Sequence, residues 1–147
     1  MKGMVLMVYF VLGPKGSGKT KWLIDQANEE IKKGNGNIIF IDVDDNHIFS
    51  LDYSVRLVNA IEFNIDSIES FYGFLCGIIA RDYDVEKIYI DGIYKVLSLT
   101  DENILELSER LDSIGEKFNT QFYMGLDVDI EGVPEKYRDK CIELKLD

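Results

Sequence analysis

Residues 13–20 combine three glycines with a lysine–threonine pair in the spacing G-x-x-x-x-G-K-T. A glycine-rich turn of this kind can direct several backbone N–H groups into one concavity, where they surround a phosphate group. A lysine then reaches the outer phosphates, and a threonine hydroxyl is a ligand suited to Mg²⁺. The spacing therefore predicts a phosphate-binding loop built from Gly13, Pro14, Lys15, Gly16, Ser17, Gly18, Lys19 and Thr20.

The residues on either side of this loop have the patterns that such a site needs. The apolar run 4–12 predicts a buried strand that leads into the loop. A helical pattern begins near Lys19 and stops at Gly34, so that the positive end of the helix would face a bound phosphate. Trp22 lies in the first turns of this helix, and its fluorescence is expected to change when the ligand binds.

Phosphoryl transfer also needs a carboxylate that positions Mg²⁺ through its water ligands. Two aspartates follow strand-like apolar runs: Asp42 follows residues 38–41, and Asp91 follows residues 88–90. Both are predicted to lie at the carboxyl ends of parallel strands, where ligands bind in such sheets. The residue pattern alone fits either aspartate.

The motif at 13–20 is the Walker A motif, and the run that ends at Asp91 is similar to Walker B, so the chain resembles the P-loop NTPase superfamily. It resembles the additional-strand type, which includes RecA-like and motor ATPases, because in that type the acidic strand end comes later in the chain than Asp42. The resemblance implies ATP and Mg²⁺ as ligands, Lys19 and Asp91 as catalytic residues, and Thr20 and Asp91 as metal ligands. It assigns no subfamily.

The fold that the resemblance implies agrees with the order of the predicted elements. Strands are predicted at 38–41, 87–91, 121–126 and 140–146, with a possible short strand at 55–61. Helices are predicted at 67–80 and after the cap residue Thr100. This alternation predicts a single α/β domain over residues 1–147, with three layers and a mainly parallel sheet of about five strands.

Two details of the helix at 67–80 are also predicted. The spacing of Asp66 and Glu69 resembles a capping box at its start. Gly73 and Gly77 lie four residues apart, on one side of the helix, and are expected to let the helix approach the sheet closely.

The residue after Asp91 bears on the expected reaction. Gly92 stands where the additional-strand type usually has a glutamate that polarises the attacking water, so we expect a slow or partner-activated ATPase. Gly92→Glu should raise turnover, provided that the glycine is not needed for its backbone angles. An alternative source of the base is the acidic loop that contains Asp42, Asp44 and Asp45. The alternative function is a nucleotide-dependent binding module or switch with little hydrolysis.

The sequence favours ATP over GTP, because the N/T-K-x-D motif that reads guanine in GTPases is not found in it. A small-molecule kinase is a third, less favoured function. Such kinases usually have a lid of arginines over the phosphates, whereas here the arginines are scattered, at Arg56, Arg81, Arg110 and Arg138. Arg138 lies before the last predicted strand, where relatives can place a residue near the adenine or the γ-phosphate.

Composition limits the partners that we expect. The net charge of −11 argues against a nucleic-acid or anionic-membrane surface, because basic patches bind such partners. No apolar run is long enough to insert across a bilayer. Cys76 and Cys141 lack CxxC spacing, which favours a reducing, cytoplasmic location. His47 has no neighbours at the spacing of a transition-metal site. A protein partner or a homo-oligomer is an open expectation.

Overall fold

The structure is a computed structural model that describes residues 6–44 and 50–146. Within these residues the strands are β1 (Val8–Leu12), β2 (Asn37–Asp42), β3 (Arg56–Asn59), β4 (Val85–Ile90), β5 (Gln121–Leu126) and β6 (Cys141–Glu143). The helices are α1 (Lys19–Lys33), α2 (Ile68–Arg81) and α3 (Asp101–Phe118). The predicted order of strands and helices is confirmed, although β6 is shorter than predicted.

The strands form one sheet in the order β3-β2-β4-β5-β1-β6, and every neighbouring pair is parallel. The predicted α/β class is confirmed. The sheet has six strands rather than about five, because the segment near 55–61 does pair, as β3. Since β5 lies between β1 and β4, the strand that leads into the glycine loop and the strand that leads to Asp91 are not direct neighbours.

Successive apolar side chains of a strand point to opposite faces of the sheet, and helices cover both faces. Phe10 and Ile41 belong to the cluster that α2 and α3 complete on one face. Val11 and Phe40 belong to the cluster that α1 completes on the other face. Helices on both faces of a parallel sheet give the three layers that the sequence predicts.

The α1 face carries a row of three tyrosines at matching positions of β1, β5 and β4. The ring centroids of Tyr9 and Tyr123 are 4.7 Å apart, those of Tyr89 and Tyr123 are 5.1 Å apart, and both pairs are stacked. Beside this tyrosine row, the Lys87 ammonium lies 5.7 Å from the Tyr123 ring centroid and 2.9 Å from the Glu30 carboxylate. Aromatic pairs across strands stabilise the sheet and favour one register.

The cap at the start of α2 differs from the prediction. Ser67 is the cap residue: its hydroxyl accepts a hydrogen bond from the N–H of Ser70, and the Ser70 hydroxyl accepts one from the N–H of Ser67. The capping box predicted for Asp66 and Glu69 is therefore wrong by one residue, because two serines form the reciprocal pair of hydrogen bonds one position further along the chain.

The predicted role of Gly73 and Gly77 is also wrong. Both glycines lie on the exposed side of α2, and a Cβ at either position would have no contact within 4 Å outside its own helix backbone. The close approach occurs instead at Gly115 of α3, where a Cβ would lie 2.5 Å from the backbone oxygen of Thr120. The residues of α2 that are buried are Ile68, Phe71, Leu75 and Ile79.

We expect Gly77→Ala to raise the free energy of unfolding by about 0.5–1 kcal/mol, because alanine fits the open space and costs less backbone entropy in a helix. Gly115→Ala is the matched control. It should lower the free energy of unfolding by about 1–3 kcal/mol, since its Cβ has no room. Urea denaturation of both variants in dilute solution measures the two effects. A destabilised Gly77→Ala variant would contradict the open environment of this position.

Candidate functional site

The loop at 13–20 joins β1 to α1 through a turn with little room at Gly13. A Cβ on Gly13 would lie 2.3 Å from Oγ of Ser17 and 2.8 Å from the backbone oxygen of Leu144. Gly18, directly before α1, has a φ of 95°, a left-handed conformation that other residues rarely adopt. A larger residue is therefore excluded at Gly13 by steric contact. At Gly18 it is disfavoured by the backbone angle.

The start of α1 is open to an anion. Because Gly18 occupies the cap position, no side chain accepts the N–H groups of the first turn. Such uncapped N–H groups, together with the helix dipole, attract negative charge. The geometry predicted for this loop, with a strand before it and a helix after it, is present.

Lys19, the first residue of α1, is 5% exposed. Its ammonium donates hydrogen bonds to the backbone oxygens of Gly13 at 2.5 Å and Pro14 at 3.1 Å. Burial lowers the pKa of Lys19, and the nearby charges of Asp127 and Asp91 oppose this shift only in part. A buried ammonium with neutral carbonyl acceptors gains free energy when an anion takes their place.

Thr20 and Asp91 meet although 71 positions separate them in the sequence. The Thr20 hydroxyl donates a hydrogen bond of 2.8 Å to Oδ2 of Asp91. Asp91 is 5% exposed, and its backbone N–H donates to the oxygen of Ile41 at 2.9 Å, which ties the end of β4 to β2. A hydroxyl and a carboxylate are oxygen ligands of the kind that Mg²⁺ prefers.

The Ser17 hydroxyl is the one buried side-chain polar atom without a hydrogen-bond partner in residues 6–44 and 50–146. Burying a hydroxyl without a partner costs free energy. The unsatisfied hydroxyl lies inside the loop, close to the position that a Cβ of Gly13 would fill. An oxyanion bound by the loop would supply an acceptor, so the residues present fit a phosphate group.

An open cleft of about 1040 Å³ lies against the loop and the first turns of α1. The described residues that line it include two aspartates, Asp25 and Asp127, and four lysines, although the chain as a whole has a net charge of −11. This local excess of positive charge favours a multiply charged anion. The four lysines are Lys15, Lys19, Lys21 and Lys95.

Two residues of the cleft, Tyr94 and Lys95, were not predicted from the sequence. They belong to a 3₁₀ turn, Ile93–Lys95, which follows Gly92 and brings both side chains to the cleft. The Lys19 ammonium lies 5.8 Å from the centre of the Tyr94 ring. The glycine directly after a strand-end aspartate was the signal for such a turn, but it does not indicate which way the next side chains point.

Gly92 is needed for its backbone conformation. Its φ is 76°, and a Cβ there would lie 2.9 Å from Cγ2 of Val43 and 3.6 Å from Cδ of Lys95. The condition attached to the Gly92→Glu prediction therefore fails. A glutamate at this position would strain the turn and collide with neighbours, whatever its effect on a water molecule.

Asp42 is buried beside the site but does not line the cleft. It is 2% exposed, and its Oδ1 accepts the backbone N–H groups of Val43 at 2.8 Å and Asp44 at 3.4 Å. Burial raises the pKa of Asp42 to about 6, and the charges of Asp44 and Asp91 add to this shift. The loop residues Asp45 and His47 lie outside the described residues.

Trp22 and Arg138 do not line the cleft. Trp22 packs on the tyrosine row, with its ring centroid 6.2 Å from that of Tyr123, so its fluorescence would respond to a ligand only indirectly. Arg138 donates hydrogen bonds to the backbone oxygens of Val133 at 3.0 Å and Glu131 at 3.4 Å. It therefore stabilises the turns that lead to β6.

Comparison with known proteins gave no match to any family model and none to a curated protein sequence. None of the described helices combines the length and the apolar composition that crossing a membrane requires. Across residues 6–44 and 50–146, no three histidine, cysteine, aspartate or glutamate side chains converge as a metal-binding group. A metal at Thr20 and Asp91 would therefore need oxygen ligands from a phosphate or from water.

We expect Asp42→Asn to stabilise the protein at neutral pH in the absence of Mg²⁺. Because the folded pKa of Asp42, about 6, lies above its ordinary value of 3.8, its contribution to stability is present at low pH and is lost as the pH rises from about 4 to 6. Asparagine stays neutral and keeps the Oδ1 acceptor. The variant should be more stable than the wild type by about 1–3 kcal/mol at pH 7 and equally stable below pH 4.

Urea denaturation at several pH values measures this difference. A gain in stability that is the same at pH 4 and pH 7 would show that burial does not disfavour the ionised Asp42 carboxylate.

Proposed function

We propose that this chain is a P-loop protein that binds ATP with Mg²⁺ at residues 13–20 and hydrolyses it slowly. The observation that carries the proposal is the hydrogen bond of 2.8 Å between Thr20 and Asp91, beside Lys19 and the uncapped start of α1. Each of these groups has a separate task in binding a nucleoside triphosphate. Asp91 reaches these neighbouring groups from a distant part of the sequence, which supports a built site over a chance glycine-rich turn.

The residues divide the binding of the phosphates among them. The N–H groups of the loop and of the first turn of α1 bind phosphate oxygens, and Lys19 exchanges carbonyl acceptors for a phosphate. Thr20 and Asp91 are the residues that would hold Mg²⁺, which neutralises charge on the outer phosphates when it is bound. Lys95, which also lines the cleft, adds a second ammonium for the same anion.

The strand order supports the additional-strand type. In this sheet β5 stands between β1, which leads to the glycine loop, and β4, which leads to Asp91. The alternative aspartate, Asp42, ends β2, which lies one strand further from β1 than β4 does. Its carboxylate accepts a hydrogen bond from the N–H of the next residue, Val43. Asp91 is therefore the better candidate to organise the metal.

Slow hydrolysis follows from the residues beside Asp91. General-base catalysis typically contributes about 10²–10⁴-fold, and Gly92 supplies no carboxylate for it. Among the described carboxylates that line the cleft, Asp25 is paired with Lys21 at 2.7 Å, which leaves Asp127 as the candidate acceptor of a proton.

The second candidate function is a nucleotide-dependent switch with little hydrolysis, favoured by the same position of Gly92. A small-molecule kinase is less favoured, because lysines rather than arginines line the described part of the cleft. Turnover of ATP by the purified protein, with and without added phosphate acceptors, separates the three functions. Hydrolysis in the range of tens per second without a partner would show that a base is already in place.

We expect Lys19→Ala to weaken ATP binding by at least about 1.5–3 kcal/mol, because it removes a charge-assisted contact from a buried position. Lys21→Ala is the matched control. It lines the same cleft, but its ammonium is already paired with Asp25, so its removal should cost much less. Isothermal titration calorimetry measures both variants. Equal ATP affinity of the wild type and Lys19→Ala would contradict the proposal that residues 13–20 bind the phosphates of ATP.

We expect Asp91→Asn to weaken Mg²⁺-dependent ATP binding more than Asp42→Asn does, because Asp91, and not Asp42, accepts the hydrogen bond from the Thr20 hydroxyl. Binding should be measured with Mg²⁺ and with EDTA, so that the loss caused by the metal is separated from a loss of phosphate contacts. Asp91→Asn should reduce the gain that Mg²⁺ provides, whereas Asp42→Asn should leave it nearly unchanged. The opposite ranking would assign the metal to Asp42.

A further inference from the structure

Between its two ends, the outward face of α2 is uncharged, unlike the outward faces of the other two helices. Exposed positions of α1 and α3 are mostly charged, for example Lys21, Asp25, Glu102 and Glu106. In α2 the only charges are Glu69 and Arg81, near its two ends. The exposed positions between them are Gly73, Gly77 and Ala80.

An apolar groove of about 800 Å³ runs beside this face, between α2 and the strands β2 and β3. Phe63 lines it and is 55% exposed, with its ring centroid 5.4 Å from that of Phe74. The two glycines of α2 also line the groove, and a side chain at either position would reach into it. The surface that we call the α2 face consists of Phe63, Glu69, Gly73, Phe74, Gly77 and Arg81.

We propose that the α2 face binds a second copy of this chain, with the two α2 helices antiparallel across a two-fold axis that crosses this face at the level of residue 75. Glu69 and Arg81 both lie six residues from position 75, about 9 Å along the helix axis. The axis therefore sets Glu69 of each copy level with Arg81 of the other. It also sets Gly73 level with Gly77, where the missing side chains let the backbones approach closely.

The charges on the α2 face select this partner. Neither the Glu69 carboxylate nor the Arg81 guanidinium forms an ion pair or hydrogen bond with another described residue. In the antiparallel pair they form two equivalent interchain ion pairs, as a self-complementary two-fold interface requires. Two copies with a net charge of −11 each repel one another in most other orientations, so complementary charges at the contact are needed to fix the arrangement.

The α2 face lies on the side of the sheet opposite α1, and its groove shares no lining residue with the cleft beside the glycine loop, so this proposal does not rest on the proposed function. Glycine inside a helix lowers stability relative to alanine, and the two glycines of α2 make no close contact within the chain that would require them. Contact with a second helix backbone supplies a reason for both.

Charge reversal tests the pairing. Sedimentation equilibrium should show a concentration-dependent dimer for the wild type. Glu69→Arg and Arg81→Glu each set two pairs of like charges opposite one another, so each variant alone should dimerise at least about tenfold more weakly. An equimolar mixture of the two variants should regain dimerisation, because both interchain pairs are then of opposite sign.

Two reversals on α3, Glu102→Arg and Lys117→Glu, are the matched controls. They change the net charge by the same amounts at exposed positions outside the α2 face and should leave dimerisation unchanged. Gly77→Leu should abolish dimerisation while the monomer stays folded by circular dichroism, because the monomer has open space there.

The proposal is overturned if the wild type stays monomeric at every concentration, or if its dimer is insensitive to both α2 reversals. It is also overturned if the mixture of variants fails to associate more strongly than either variant alone. Dimerisation that the α3 reversals weaken as strongly would assign the interface to a different surface.

Discussion

In a parallel sheet the carboxyl ends of all strands lie along the same side of the sheet, and the candidate site depends on this constraint. Thr20 follows β1 and Asp91 follows β4, and the intervening β5 sets the distance between them. The buried carboxylate of Asp91 would be costly to keep without hydrogen bonds, and the Thr20 hydroxyl supplies one. This side of the sheet brings Asp91 next to the glycine loop and the start of α1, beside the lysines that line the cleft.

The sequence predicted the elements well, because each has a strong local pattern. The nearly continuous apolar runs of β1, β2 and β5 and the apolar second half of β4 reflect burial on both faces of the sheet. The helices show their apolar stripes directly. The strand–loop–helix geometry around residues 13–20 was also predicted, since such a turn has strict needs for glycine. The choice of Asp91 over Asp42 came from the family resemblance, because the residue pattern alone fits either aspartate. The α/β class follows from the order of these elements alone.

The errors concern features that depend on the direction of side chains in three dimensions. Tyr94 and Lys95 reach the cleft because Gly92 turns the chain, and no periodicity encodes that direction. Ser67 replaces Asp66 as the cap of α2 because serine and aspartate both suit a cap, and propensity cannot choose between adjacent candidates. Gly73 and Gly77 were expected to face the sheet, but the helix turns its apolar stripe inward and leaves the glycines outside.

The tyrosine row has a consequence for how the protein can respond to a ligand. Tyr9, Tyr123 and Tyr89 stack across β1, β5 and β4, and Tyr123 and Tyr89 belong to the cluster that α1 completes. Sliding β5 would break both ring contacts, and sliding β1 or β4 would break one of them. A slip of one residue would also move the apolar side chains of that strand to the opposite face. The centre of the sheet is therefore mechanically stiff. Compliance has to come from segments without such cross-strand stacking, such as the 3₁₀ turn that carries Lys95.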